Sequence, residues 1–184
     1  MTAASVSAVA DVPEQIKRTG VGGRQDVPAL LARKTSELKA RFSPRQVPDR
    51  RVSALVPFFQ YIDRCTVPAD RLFVAGFAPE IYVYAGRPFA GGQSTFINGY
   101  YESDVDQRRV LERLKRQRVL FAFVPTGDYE EWREAFPLLD TYVHERFRTM
   151  TEIPIDDAPA MRVLVNSDIE RTGRDDRTGW PCFR

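Results

Sequence analysis

Two uninterrupted apolar runs, Leu72–Ala75 and Val119–Val124, constrain this chain more than any other feature. A strand exposed on one face alternates apolar and polar residues, so a run with no polar member needs cover on both faces. The first run follows the charged pair Asp70-Arg71 and ends at Gly76; the second is stopped by Pro125. After Gly76 the pattern turns helical. Pro79 suits a first turn, where its missing N–H costs nothing, and Glu80 suits the positive end of the helix dipole. Ile81 and Tyr84 share one side, Gly86 can close the helix, and Arg87-Pro88 resumes extended chain. Strand, glycine turn and helix in succession is how α/β domains are built, and such turns are also where they often place ligands.

The rest of the chain fits a single small α/β domain, a mixed sheet with covering helices. Residues 1–26 carry Gly20, Gly22, Gly23 and mixed charge without a period, which reads as a flexible leader. From residue 27 the domain begins: Pro28, Leu30, Leu31, Leu38 and Phe42 among basic residues predict an amphipathic helix with a basic outer face. A second helix runs from near Arg51 to Cys65, with Val52, Leu55, Phe59 and Ile62 at helical spacing. Ser103 with Asp106 forms a capping box for a helix reaching Gln117, and Asp128 with Glu131 repeats the pattern. The helix after Asp128 meets Pro137, which either kinks it or starts a new one. Phe147–Ile153 and Met161–Asn166 read as strands joined by the turn Asp156-Asp157-Ala158-Pro159. The sheet is expected to be parallel at its centre and antiparallel at this last pair. Residues 167–184 are charged and read as a flexible tail.

At 184 residues there is room for one core and not for two. A net charge of +2 offers no field that recommends nucleic acid as partner. No stretch approaches the roughly 20 apolar residues of a membrane-spanning helix, and the first eleven residues lack the basic and hydrophobic regions of a secretory signal. Cys65 and Cys182 allow one disulfide without requiring it, so the redox compartment is left open. His144 stands without metal-ligand spacing, and no metal or cofactor is expected.

Asp104-Val105-Asp106 has the spacing with which two hard carboxylates hold a divalent ion against a diphosphate, but capping accounts for both acids. The turn Gly76-Phe77-Ala78-Pro79 offers N–H groups to an anion or is simply a turn; it lacks the lysine and hydroxyl of a phosphate loop. Ser94 has no nucleophile-elbow context. No residue is assigned a catalytic role. The candidate ligand-binding residues are Glu80, Tyr84, Arg87, Tyr100 and Tyr101, a cation and aromatic faces suited to sugar or phosphate, with aromatic core packing the alternative use.

The segment Thr66–Gly76, then Pro79-Glu80-Ile81-Tyr82-Val83-Tyr84-Ala85-Gly86-Arg87-Pro88, resembles the soluble C-terminal part of bacterial GT-C class membrane glycosyltransferases, relatives of protein mannosyltransferases and lipid A aminoarabinose transferases. Val119–Pro125, Phe136–Leu139 with Tyr142 and Val143, and Arg162–Val165 fit the same part in order, so the likeness spans about residues 50–166. It implies an extracytoplasmic domain capping a membrane region that uses a polyprenyl-phosphate sugar. The family's catalytic acid lies in an early loop between membrane helices that this chain does not contain. The resemblance therefore implies a non-catalytic domain or truncated tail with a structural, acceptor-positioning or docking role. Its partners would be the enzyme's membrane region, its acceptor or a lipid-linked sugar. The alternative is an independent soluble module whose aromatic loop, Pro88–Tyr101, holds a small polar or sugar-like ligand. The residues by themselves leave a cytoplasmic location open.

Overall fold

The computed structural model describes residues 32, 33, 35, 36 and 53–184. The chain divides into two compact units, Met1–Phe42 and Ser43–Arg184. In the first, Ala32, Arg33, Thr35 and Ser36 are helical; the rest of the expected basic helix and the leader 1–26 lie outside the described residues.

The second unit is an α/β domain. Its elements are α1 (Val56–Cys65), β1 (Arg71–Val74), α2 (Glu80–Ala85), α3 (Asp104–Lys115), β2 (Val119–Pro125), α4 (Tyr129–Ala135), α5 (Pro137–Arg146), β3 (Phe147–Ile155), β4 (Ala158–Asn166) and the short pair β5 (Gly173–Arg174) and β6 (Pro181–Cys182). Four strands form a mixed sheet in the order β1-β2-β4-β3. β1 and β2 are parallel, with Phe73 opposite Ala122; β4 runs antiparallel to both β2 and β3, with Phe123 opposite Val163. The centre is thus an antiparallel pair, not the parallel one expected. The chain leaves β2 through α4 and α5 to the far edge, and the β3–β4 hairpin then returns into the middle. Apolar patterning records which faces are covered and not this order.

Successive residues of the two apolar runs serve opposite cores, apart from Leu120 and Phe121, which share one. Leu72, Val74, Phe121 and Phe123 pack with α1 and α2, whereas Phe73, Ala122 and Val124 pack with α3, α4 and α5. Both faces being covered is the reason neither run contains a polar residue. The outer edge of β1 is closed by the segment after α2: Leu72 N donates to Pro88 O (3.1 Å) and Ala90 N to Leu72 O (2.7 Å). The β3 edge is exposed and carries Arg148, Thr149 and Glu152, polar cover of the kind that discourages pairing with another chain.

Pro137 starts a new helix, the second of the two options. The Ser103 cap is formed: its Oγ accepts from Asp106 N (3.2 Å) and donates to the Asp106 carboxylate (2.6 Å). Ser103→Ala is expected to cost about 1 kcal/mol, seen as a fall of about 2–4 °C in Tm. Asp128, by contrast, makes no capping bond with its side chain, so the second capping box does not form.

The tail expected to be flexible is instead part of the fold. Cys182 is disulfide-bonded to Cys65, Phe183 is only 1 % exposed, and Trp180 lies edge-on to Tyr61. Arg64 grips the buried Asp175 with two bonds of 2.9 Å, and this pairing, with Thr178, holds the Asp175 carboxyl well below the usual range. The charged residues between Asn166 and Gly179 conceal two aromatic residues whose ring partners, Phe58 and Tyr61 for Trp180 and Phe121 for Phe183, lie far back in the chain.

Candidate functional site

Because β1 and β2 are parallel, their carboxyl ends lie side by side, and a cleft of about 380 Å³ opens there. Crevices at this edge of an open α/β sheet are the usual ligand seats. Gly76 ends β1 at φ +135°, a conformation that needs glycine, and its carbonyl accepts from Phe96 N (3.0 Å), which ties the later loop to the cleft. The wall opposite is α4. Trp132 is 4 % exposed, stacked on Phe136 (5.7 Å) and Tyr129 (5.9 Å) and edge-on to Phe73 (6.2 Å), so its ring is held rigidly. Its indole nitrogen has no hydrogen-bond partner among the described residues. A buried N–H left without an acceptor is costly.

The polar lining is supplied by Asn98, Asp128 and Glu131, and among the described residues no lysine, arginine or histidine lines the cleft. Asp128 is available because it does not cap α4. An adjoining hollow of about 500 Å³ shares Asn98 and Glu131 and adds Glu102, Asp104 and Glu134. This edge therefore presents hydrogen-bond acceptors against an aromatic wall. That suits hydroxyl-bearing rings, and the acidic side chains disfavour an anion at the turn Gly76–Pro79. Phe77, 69 % exposed, extends the aromatic surface at the rim.

The five residues singled out in the sequence are not gathered here, and none of them lines this cleft. Arg87 is buried and works on the backbone: it donates to Ile62 O (3.3 Å), Ala85 O (3.3 Å) and Gly86 O (3.1 Å), and to Thr66 Oγ1 (3.0 Å). It thereby ties the carboxyl ends of α1 and α2 together, as a cation at helix C-termini should. Burial pushes its guanidinium below its ordinary value. Glu80 sits in the first turn of α2, as its dipole preference implied, and Tyr84 stacks on Phe59 (6.0 Å). Tyr100 and Tyr101 are 62 % and 59 % exposed; Tyr101 lines a different hollow, beside α3. Asp104 and Asp106 are engaged with Arg108 (3.5 Å) and Arg109 (3.4 Å) on α3, in keeping with capping rather than metal binding.

Sequence reasoning missed Asp128, Glu131 and Trp132, whereas Asn98 lies within the loop Pro88–Tyr101 expected to hold a ligand in the alternative reading. The one available signal was the acidic spacing ahead of Trp132, which has the same form as a helix cap. Among the described residues no group of His, Cys, Asp and Glu is arranged to hold a metal ion, and no helix is long and apolar enough to cross a membrane. No protein-family model matches the chain, and no curated protein or solved structure matches it significantly.

Proposed function

We propose that this chain is a binding domain without catalysis of its own, and that it holds a sugar or similar polyol in the cleft between β1, β2 and α4. The observation that carries the reading is the lining: the ring of a tightly packed tryptophan beside Asp128, Glu131 and Asn98 as acceptors and donors for ring hydroxyls. Aromatic faces with a few convergent polar groups are the ordinary make-up of a small-molecule site. The resemblance of residues 50–166 to the soluble part of GT-C glycosyltransferases favours the same ligand class. On that reading the domain positions a sugar-bearing acceptor or donor while a membrane region performs the transfer. The Cys65–Cys182 disulfide supports the extracytoplasmic side, since disulfides persist in oxidising compartments.

Trp132 supplies the test. In a Trp180→Phe background it is the sole tryptophan, because the chain has two. Titration with a panel of neutral monosaccharides and amino sugars is expected to give a saturable change in its fluorescence. Asp128→Ala with Glu131→Ala is expected to weaken binding by about tenfold or more, since hydrogen bonds to charged groups contribute roughly 1.5–3 kcal/mol each. A panel with no saturable response, or a response indifferent to both acids, would sink the reading.

A further inference from the structure

The hollow beside α3 has the opposite chemistry from the cleft, and we propose that it binds a phosphate-bearing anion. Its volume is about 450 Å³, and Arg109, Arg113, Gln93, Ser94, Thr95 and Tyr101 are among its lining residues. Arg109 and Arg113 are four residues apart on α3, so both guanidinium groups rise on one side of the helix. The loop is shaped to receive Arg113. Gly92 has φ +79°, and a Cβ there would lie 2.3 Å from Arg113 Nη1, so glycine lets the backbone close on the guanidinium. Arg113 also reaches Gly91 O at 3.5 Å.

Among the described residues Asp106 is the one carboxylate lining this hollow, and it already accepts from the Ser103 hydroxyl and faces Arg109 at 3.4 Å. Two cations against one engaged anion leave a net positive site. Ser94 and Thr95 add hydroxyl donors, and Tyr101 an aromatic face. The Gln93 side-chain oxygen is buried and has no hydrogen-bond partner. The side chain of Gln93 also brings an amide NH₂ to the lining residues, a donor in chemical type. Guanidinium forks with hydroxyl and amide donors are the usual means of holding phosphate oxygens. The site shares no residue with the cleft and stands whether or not a sugar binds there.

Calorimetric titration of the full chain with inorganic phosphate is expected to show saturable binding. Arg109→Ala and Arg113→Ala are each expected to weaken it about tenfold, the loss of one charge-assisted contact. Lys115→Ala and Arg116→Ala remove the same charge from the same helix outside the hollow and are expected to leave binding unchanged. All four replacements lie at exposed positions, and circular dichroism checks that each variant is folded. A second arm uses phosphatidylcholine vesicles with and without phosphatidic acid. Arg113-dependent sedimentation with the anionic vesicles assigns the phosphate to a lipid headgroup; phosphate binding without it assigns a soluble phosphoester. The proposal is overturned if neither arm shows binding, or if the four variants weaken it alike.

Discussion

Reducing the Cys65–Cys182 disulfide, or replacing it by Cys65→Ala with Cys182→Ala, is expected to lower stability by about 3 kcal/mol and Tm by roughly 6–12 °C. The bond spans 117 residues, a long loop whose closure restricts the unfolded chain severely. The native state has other means of holding the tail. Phe183 N donates to Cys65 O (2.7 Å), Arg118 to Phe183 O (2.8 Å), Tyr61 to Pro181 O, and Arg64 grips Asp175. The variant is therefore expected to keep its tail docked, with the near-ultraviolet signal of Trp180 unchanged below the transition. Calorimetry with and without reductant, paired with near-ultraviolet circular dichroism at 25 °C, checks both halves. An unchanged Tm removes the cross-link as a stabiliser; a lost aromatic signal shows that the bond itself, and not the packing, holds the tail.

What could be read from the residues alone divides along physical lines. Features set by neighbours in the chain were legible: the two doubly covered strands, the Ser103 cap, the β3–β4 hairpin and the C-terminal glycine of α2 at φ +59°. Features set by distant partners were not. The tail from residue 167 reads as solvated because its charges are local and the pocket for Phe183 is built by α1 and β2. Arg87 reads as a functional cation because its carbonyl partners at Ile62 and Ala85 have no sequence signature. The cleft itself is assembled from the ends of β1 and β2, the Phe96–Asn98 segment and the start of α4. Only the strand order brings those pieces together, with β1 and β2 side by side and β4 of the hairpin pairing on the other side of β2.

The same dependence on distant partners makes Arg118 the most exposed point of the electrostatics. Asp70 is 1 % exposed at the entry to β1, where its carboxylate accepts from Arg118 (2.5 Å) and from Val67 N (3.0 Å). Burial dominates, and its carboxyl stays above the usual carboxylate range in spite of both partners. Arg118→Met removes the hydrogen-bonded cation and leaves the buried acid with the Val67 amide and the charge of Arg87, which makes no hydrogen bond to it. Breaking a fully buried pair costs roughly 3–5 kcal/mol. Arg118 is 41 % exposed, so water already screens the pair and about 2–3 kcal/mol is expected here. The pH dependence follows in sign. With its folded pKa raised, Asp70 keeps its proton over a range where the unfolded chain has lost it, so stability falls as pH rises through that range. Loss of Arg118 raises the folded value further and widens the range upward. The deficit of Arg118→Met is then largest near neutrality and shrinks as pH approaches about 4, where the unfolded carboxyl also takes up its proton. Asp70→Asn in the same chain removes the buried charge while its side-chain oxygen still accepts from Val67 N, and is expected to restore most of the loss. Urea denaturation of wild type, Arg118→Met and the double variant at pH 7 and pH 4.5 measures all of this. A deficit equal at the two pH values, or unrelieved by Asp70→Asn, would place the role of Arg118 in its bond to Phe183 O and not in the charge of Asp70.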